Sequence, residues 1–562
     1  MSNLQEKKFE EEGIHYNNSG SLEKGIEPGY AVPVGDDDDD RYHFSSVDTD
    51  LVQRKLKQRH VQMIAIAGTL GTGLFLGSGA AISAAGPAGA LLSYMIIGTV
   101  AYATLCSVGE MTSLAPVSGT FPHFAARWVD PAFGFAVGWN YFYAQAITIP
   151  VEVTAAQILL TFWDSNPAHG WGYNVVICFG VCIMNILGVR YFGESEFYFS
   201  IIKLMLITGL IIGGLVIDLG GGPSHDRLGF RYWNTPGAFN RAGLVDNLTT
   251  DRFLAIVSTF VQAAFSFQGM ELVAIAASET QNPRRNIAKA VRRVFWRIAI
   301  FYILGVIISG MLVAYDDEDL LNNGDSGTAT ESPYVIAIQR AGISALPSVI
   351  NAAIFTSAFS AGNSFLFCSS RILYGLAIRG QAPKIFTYTT KNGLPLLAVL
   401  FCCCFSLLSF MNHSSGATNV FNWFVNLSTT AGFFTWMAIN LTYIRFWQGH
   451  RKQGIDRKKL VYHSILQPGL AIWGFFWTTI FILIDGFEVF FPGQWNTSDF
   501  LVAYINIPLF FALFIGWKVI KRTKFWHTHE MDFWRGIPTL EETEEPEVPP
   551  KNWREKIFNA LF

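Results

Sequence analysis

The stretch Gly68-Thr69-Leu70-Gly71-Thr72-Gly73 lies in the middle of the first long apolar segment of the chain. That segment is long enough to cross a bilayer, because about 20 apolar residues cover the hydrocarbon core. Three glycines and two threonines weaken the helix at a depth where lipid cannot hydrogen-bond to exposed backbone. Unwound backbone is tolerated there only where it lines a cavity or meets a ligand. The stretch therefore predicts a binding site halfway through a membrane.

The composition extends this interpretation to the rest of the chain. Its 562 residues are 51% hydrophobic and only 15% charged, whereas soluble domains contain about 25% charged residues. The seven cysteines all lie in apolar stretches and lack the spacing of zinc ligands or of a disulfide framework, which predicts packed free thiols. The chain is predicted to be an all-α membrane protein with no metal, cofactor or nucleic-acid partner.

Twelve apolar segments predict twelve transmembrane helices. They lie at about residues 61–86, 88–109, 132–162, 172–188, 196–219, 253–276, 294–314, 347–376, 395–411, 420–444, 469–491 and 500–519. Loops that follow the sixth, eighth, tenth and twelfth segments carry basic clusters, such as the one from Arg284 to Arg293, whereas the loop after the seventh is acidic from Asp316 to Asp319. Because basic loops face the cytoplasm, both termini are predicted to be cytoplasmic.

A second interruption, Phe265-Ser266-Phe267-Gln268-Gly269-Met270-Glu271, lies in the sixth segment. Taken alone, it is also compatible with an unbroken helix that tolerates one glycine and a partnered glutamate. Breaks in the first and sixth segments together are typical of transporters built from inverted repeats. Five spans then form each repeat, and the last two helices are additional. A half-helix N-terminus favours a carboxylate, and freed carbonyls favour an ammonium, so the paired breaks suit a zwitterionic amino acid.

Several ordered sequence blocks carry a family resemblance. They are Arg59 to Phe75, Gly109-Glu110-Met111, Gly193 to Phe197 with Lys203, Gly220 to Trp233, Ser278 to Arg285, and Phe295-Trp296-Arg297-Ile298. Over about residues 54–525 the chain resembles the fungal amino-acid permeases, the yeast amino acid transporter family of the amino acid–polyamine–organocation superfamily. The block at Gly220 to Trp233 is similar to the dicarboxylic-type and general permeases.

The resemblance implies a proton-coupled symporter that imports L-amino acids across the plasma membrane by alternating access. By the family pattern, the substrate carboxylate meets the backbone at Thr69, Gly71, Thr72 and Gly73. The amino group meets carbonyls in the second break, and an aromatic side chain closes over the substrate. The second-break positions are Phe265, Ser266, Phe267 and Gly269.

The resemblance also implies a division of the chain into three parts. Residues 1–53 form a disordered cytoplasmic tail, too charged to bury a core. Residues 54–525 form the twelve-helix transporter domain surrounded by lipid, and residues 526–562 form a cytoplasmic C-terminal tail. Lysines in the first tail are candidate acceptors for ubiquitin-ligase machinery.

Ionisable residues inside the predicted spans need a partner or a function, because each costs about 2.5–3.5 kcal/mol on insertion scales. Lys203 is predicted to exchange the coupling proton; the alternative is a lysine that snorkels to the cytoplasmic face near Glu194 and Glu196. Glu271 is predicted to support the second break and to exchange protons, or else to be a structural carboxyl. Glu152, as an anion facing the cavity, would repel acidic side chains.

Asn363 and Trp436 complete the predicted substrate site. The repulsion by Glu152 favours neutral or broad selectivity, whereas the outer-loop resemblance favours a dicarboxylic amino-acid permease. A non-transporting amino-acid sensor is a further alternative, although the tails are short for one. No His-Glu-x-x-His or Gly-x-Ser-x-Gly pattern occurs, so an enzyme is not expected.

Overall fold

A computed structural model describes much of the chain. The described residues are 29–30, 63, 70–117, 119–164, 166–222, 225–278, 282–321, 332–343, 345–415, 417–535 and 537–543. Thr69 and almost all of the predicted N-terminal tail lie outside this part of the chain.

The described chain is almost entirely helical. Its helices are α1 (Thr72–Phe75), α2 (Gly77–Leu114), α3 (Thr120–Trp128), α4 (Pro131–Leu160), α5 (Gly170–Ile186), α6 (Val189–Asp218), α7 (Leu248–Ser258), α8 (Phe260–Phe267), α9 (Leu272–Ser278), α10 (Pro283–Arg297), α11 (Leu304–Leu312), α12 (Glu318–Leu321), α13 (Pro333–Arg340), α14 (Leu346–Ile378), α15 (Leu396–Ser406), α16 (Asn412–Ser415), α17 (Ala417–Gln453), α18 (Gly469–Ile484), α19 (Thr497–Tyr504), α20 (Asn506–Lys521) and α21 (Leu540–Thr543). Short 3₁₀ or π turns cover Pro167–His169, Trp233–Gly237, Ile298–Ile303, Lys384–Thr387, Leu407–Met411, Arg457–Lys459 and Phe487–Phe490. Two short strands, β1 (Gly29–Tyr30) and β2 (Tyr388–Thr389), pair antiparallel.

Seven helical segments of the described chain are long and apolar enough to cross a membrane. Three further helical segments are apolar but shorter: Gly170–Ile186, Leu396–Met411 and Gly469–Ile484. Apolar side chains such as Met205 and Ile212 are exposed on the outer surface of α6, which suits contact with lipid. The prediction of an all-α protein with many apolar spans is therefore confirmed at this level.

Gly86 separates the first two predicted spans inside α2. Its φ of 78° lies in the left-handed region, and Pro87 follows it. A methyl group on Gly86 would lie 2.8 Å from both the Ala238 oxygen and the Asn240 nitrogen. The Ala88 amide donates to the Ala238 carbonyl at 2.9 Å, and the Asn240 amide donates to the Ala85 carbonyl at 3.0 Å. This docking of the 238–240 loop requires glycine at the turn.

The centre of the bundle is built on α4, which packs most extensively against α14 and then against α17. The inner faces of these helices bury large side chains, including Tyr141 and Tyr443. The cysteines are free thiols, as predicted, although Cys404 is exposed. Long helices that cross one central helix place residues far apart in sequence around one buried region.

The described part of the predicted C-terminal tail packs on the helices. Arg127 of α3 donates to the carbonyl oxygens of Asp532 and Arg535 at 2.7 and 2.6 Å. The Phe533 ring stacks on Trp128 with centroids 5.7 Å apart. Residues 526–535 and 537–543, here called the C-terminal strap, therefore continue the folded body beyond the predicted boundary at residue 525.

Candidate functional site

The first predicted interruption includes Leu70 and Gly71, which directly precede α1. Gly71 is extended, with φ −114° and ψ −162°, and it precedes the single helical turn α1. The Leu70 carbonyl accepts a hydrogen bond from Ser357 Oγ of α14 at 2.8 Å instead of from its own helix. Backbone that is not satisfied within a helix is thus satisfied by a side chain of a distant helix.

The second predicted interruption lies between α8, which ends at Phe267, and α9, which begins at Leu272. Gly269 takes a φ of 83°, in the left-handed region that favours glycine. Gln268 Nε2 donates to the Ser428 carbonyl of α17 at 2.9 Å, and Ser428 Oγ donates to Gln268 Oε1 at 3.4 Å. The unwound segment is therefore anchored to α17 by one side chain.

The two interruptions meet each other. A methyl group on Gly73 would lie 2.8 Å from Ser266 Cα and 2.9 Å from Phe265 Cδ1. Only a residue without a side chain allows the two backbones to come this close. Ser266 is held from the other side by Tyr94, whose hydroxyl lies 2.9 Å from Ser266 Oγ.

A narrow cavity of about 10 Å³ lies between the two breaks, α4 and α14. Its lining consists of Gly71, Gly73, Glu152, Phe265, Ser266, Gln268, Ala361 and Phe365. This volume is about what one water molecule needs, so the elements must separate before a larger ligand enters. Of the lining residues, Gln268, Ala361 and Phe365 were missed by sequence reasoning. Sequence reasoning could have identified Gln268, because this polar residue lies inside the second interruption.

Glu152 brings a carboxyl group to the first break from α4. Its Oε2 accepts a hydrogen bond from Thr72 Oγ1 at 3.1 Å, and its side chain is buried. Its Oε1 would lie 3.1 Å from a methyl group on Gly71. The carboxyl group therefore lies at the start of α1, with one oxygen beside the extended Gly71 and the other on the Thr72 hydroxyl.

Lys203 is fully buried, so the interpretation that it snorkels to the membrane surface is wrong. Its Nζ lies 3.7 Å from Glu196 Oε1, seven residues earlier on α6. Glu196 Oε2 accepts from Ser360 Oγ of α14 at 2.7 Å. The hydrogen bond from Ser360 thus connects the buried ion pair of α6 to the helix that lines the cavity.

Glu271 is buried at the end of the second break and is held from two sides. Trp436 Nε1 donates to Glu271 Oε2 at 3.2 Å, and Gln145 Nε2 lies 3.5 Å from Oε1. Trp436 was predicted to line the substrate site, but the structure places its indole on Glu271, outside the described lining of the cavity.

Four further predicted residues also lie outside that lining: Thr72, Gly269, Phe267 and Asn363. Phe267 stacks on Tyr302, with ring centroids 4.3 Å apart, on the side of α8 away from the cavity. Asn363 accepts a hydrogen bond from Asn185 Nδ2 of α5. Phe267 and Asn363 are fully buried, and their contacts are with packed helices.

A separate ion pair closes the end of α2 remote from Gly86. Arg457 donates to both carboxylate oxygens of Glu110, at 2.5 and 3.0 Å, and the Ser464 amide donates to Glu110 Oε2 at 3.2 Å. This bidentate arrangement ties the loop between α17 and α18 to α2.

The fold and the paired interruptions define a multi-pass membrane protein of the transporter type. A crystal structure of a manganese transporter of Eremococcus coleocola superposes with a TM-score of 0.52 at 12% identity, covering 89% of this chain and 99% of that one. At this identity the likeness shows the fold alone.

The family model described as amino acid permease matches residues 60–530, and the chain belongs to this family. It is 40% identical to a proline-specific permease of Emericella nidulans, over 96% of this chain and 99% of the relative. It is also 40% identical to a dicarboxylic amino acid permease of Saccharomyces cerevisiae, over 90% and 82%. A lysine-specific permease of the same yeast is 39% identical, over 91% and 83%. The protein is thus a permease for amino acids and not an enzyme.

Proposed function

We propose that this permease imports L-amino acids of neutral or broad range across the plasma membrane, driven by protons and by alternating access. In this proposal twelve helices span the membrane with both termini in the cytoplasm. Two inverted repeats of five spans carry the breaks in spans one and six. The N-terminal tail is the proposed contact with ubiquitin-ligase machinery.

The observation that carries the proposal is the close contact of the two breaks around a cavity. The backbone from Gly71 to Gly73 offers amide groups at the start of α1, where a carboxylate is favoured. The Phe265 carbonyl accepts from the Gln268 amide at 3.2 Å, so the carbonyl proposed to receive an ammonium is that of the next residue at the end of α8, Ser266. The two groups of an α-amino acid match these two ends, and Phe265, which lines the cavity, is the aromatic residue proposed to cover the bound substrate.

The cavity lining favours neutral substrates over acidic ones. The described lining residues include no lysine, arginine or histidine to receive a second carboxylate. Glu152, when ionised, contributes a negative charge that repels one. Phe265, Phe365 and Ala361 supply apolar walls. The proline-specific relative, similar over nearly its whole length, agrees with this selectivity.

A dicarboxylic substrate is the second candidate, supported by the similarity to a dicarboxylic amino acid permease over most of both chains. The two candidates can be distinguished in a permease-deficient host by measuring how well each unlabelled amino acid competes with the uptake of one labelled amino acid. Neutral amino acids should displace the label, whereas strong displacement by aspartate and glutamate alone would establish the second candidate.

Proton coupling is proposed to use the buried ionisable groups near the cavity, with Lys203 and Glu271 as candidates. Both are almost completely buried, and ionisable groups at membrane depth are typical of proton-coupled transporters. Accumulation of the labelled amino acid should disappear on addition of a protonophore. Accumulation that persists undiminished would remove proton coupling from the proposal.

A further inference from the structure

A second and larger cavity is lined by residues of α7, α8, α17, α18 and α19. Its volume is about 370 Å³, compared with about 10 Å³ for the cavity between the breaks. Small-molecule sites measure about 300–1,000 Å³, so a ligand can enter this cavity as it stands. It is here called the outer cavity, with Gln262, Phe481 and Asp485 in its lining, because the proposed topology places it at the extracellular side.

The buried side of the outer cavity is aromatic. Phe481 of α18 lies between Phe260 of α8 and Phe433 of α17, with ring centroids 5.0 and 5.2 Å away. All three rings are at most 6% exposed, and all three line the cavity. Aromatic faces attract cations, and their apolar surface also accommodates methylene groups. This side of the cavity therefore suits a cation with an aliphatic body.

The charged part of the lining is acidic. Asp485, which directly follows α18, is 5% exposed, and its Oδ2 accepts from Thr430 Oγ1 at 2.6 Å. Glu488 and Asp499 are exposed and line the same cavity. Electrostatic interactions connect Glu488 to both Asp485 and Asp499. The described lining residues include no lysine, arginine or histidine, so ionised carboxylates give the cavity a negative charge.

Gln262 gives an independent indication of a ligand. Its Oε1 is buried and has no hydrogen-bond partner among the described residues, although the residue lines the cavity. Buried polar atoms in folded proteins are almost always hydrogen-bonded. An amide oxygen and carboxylates all accept hydrogen bonds, so a ligand that satisfies them must be a donor as well as a cation. An ammonium group is both.

The placement of the carboxyl groups favours an organic ammonium over a metal ion. In the described part of the chain, no group of three aspartate, glutamate, histidine or cysteine side chains is placed to hold a metal ion. Asp485 lies in the buried part of the cavity, whereas Glu488 and Asp499 lie at its exposed mouth. Charges at two depths suit a ligand whose ammonium groups are joined by an aliphatic chain. A linear aliphatic diamine has this chemistry.

The short helix α8 contributes to both cavities. Phe260 and Gln262 line the outer cavity, and Phe265 and Ser266 line the cavity between the breaks. Ser266 Oγ also donates to the Gln262 carbonyl at 3.1 Å. A ligand in the outer cavity therefore contacts one of the elements that must separate before an amino acid enters. Such a ligand stabilises the arrangement that it binds best.

We propose that the outer cavity is a regulatory site for aliphatic diamines, and that an occupant slows amino-acid transport by holding α8 in this arrangement. One ammonium group pairs with Asp485 and Gln262 beside the aromatic rings, and the other pairs with Glu488 or Asp499 at the mouth. The diamine binds in the outer cavity and is not transported through it. The side from which it arrives, the outside, rests on the proposed function.

The first test measures binding to the purified full-length protein by isothermal titration calorimetry, with the linear aliphatic diamine cadaverine as the probe. Cadaverine should bind, and its monoamine counterpart amylamine should bind about tenfold more weakly, because it lacks one charged hydrogen-bonding group. Asp485→Asn keeps an acceptor for Thr430 but removes the charge, and should weaken cadaverine binding by about tenfold. Glu318→Gln alters an exposed glutamate of α12 outside the lining and is the matched control.

The exposed carboxyl groups keep the proposal falsifiable if Asp485→Asn does not fold. Glu488→Gln and Asp499→Asn should each weaken cadaverine binding by about two- to fivefold, which is the effect of a solvent-exposed ion pair. Equal affinity for cadaverine in these variants and in Glu318→Gln would overturn the site. Calcium ions that bind more tightly than cadaverine and displace it would overturn the assignment to a diamine.

The second test measures regulation in a permease-deficient host, with cadaverine in the medium. Initial uptake of a labelled amino acid is compared, for each variant, with its own uptake without cadaverine. Saturating cadaverine should lower the maximal rate by about fivefold or more and leave the half-maximal substrate concentration unchanged. Inhibition that raises only the half-maximal substrate concentration would place the diamine in the cavity between the breaks and overturn the proposal. Absence of any amino-acid uptake would instead refute the proposed function, and the calorimetric result would still decide whether the diamine site exists.

Discussion

The substitution Gly73→Ala tests the contact on which the candidate site is built. In the structure the added methyl group would lie 2.8 Å from Ser266 Cα, 3.0 Å from the Ser266 nitrogen and 2.9 Å from Phe265 Cδ1. Two of these three atoms are backbone, so the neighbour cannot relieve the clash by rotating a side chain. The two broken helices must move apart.

The cost of this movement sets the expected effect. Overpacking a well-packed region costs about 1–3 kcal/mol. If the clash arises only when the breaks close on each other, the closed arrangement becomes about 5- to 150-fold less populated. Initial uptake rates should fall by the same factor. Gly71→Ala should fall near the lower end of this range, because its methyl group meets a movable carboxylate oxygen of Glu152 at 3.1 Å.

The assay is uptake of a labelled amino acid in a permease-deficient host, corrected for the amount of protein at the cell surface. Gly209→Ala is the matched control, since the space around Gly209 in α6 is open within 4 Å. If Gly73→Ala transports as fast as Gly209→Ala at equal surface abundance, the contact between the breaks is not part of the transport cycle.

Three further substitutions address the supports around the site. Arg457→Ala leaves the buried Glu110 without its ion-pair partner, which costs about 3–5 kcal/mol, so the thermal unfolding midpoint of the purified protein should fall. Trp436→Phe removes the donor to Glu271; hydrogen bonds to charged groups contribute about 1.5–3 kcal/mol, and uptake should fall by about tenfold or more. Phe533→Ala removes a buried ring that anchors the C-terminal strap, at about 3–5 kcal/mol, and limited proteolysis should then cleave the strap faster.

Each of these substitutions has a matched control on an exposed neighbour or equivalent residue. Lys458→Ala should leave the unfolding midpoint unchanged, and equal midpoints for both variants would argue against the tie at Glu110. Trp473→Phe removes an indole donor on the exposed surface of α18, where it bonds to Thr99. Equal uptake in the two tryptophan variants would show that Glu271 does not need its indole partner. Trp534 is 70% exposed, so cleavage at the same rate in Trp534→Ala and Phe533→Ala would contradict the docking of the strap.

The amino-acid sequence was sufficient to locate the two interruptions. Glycines within apolar segments raise the cost of a continuous helix at those positions wherever the rest of the protein lies. The same local reasoning identified Glu152, Lys203 and Glu271, because a charge inside an apolar segment is costly in any fold. These conclusions depend on composition along the chain, and the described helices agree with them at both breaks.

Only the tertiary structure decided which side chains meet. Phe265 and Phe267 look equivalent in sequence, yet residues two apart do not share a helix face, and only Phe265 lines the cavity. Trp436 and Asn363 were likewise placed at the site by their sequence context, but distant helices direct them to Glu271 and Asn185.

The environment of Lys203 was likewise decided by the tertiary structure. Sequence reasoning left open whether this lysine is buried or reaches the membrane surface. The answer depends on α14, which is about 160 residues away in sequence. Ser360 Oγ of α14 donates to Glu196 Oε2 at 2.7 Å and so orients the partner of Lys203. The packing of α14 on α6 also helps to remove the lysine from solvent. Local sequence determines the cost of breaking a helix or burying a charge. The packing of distant helices determines whether that cost is met by a partner.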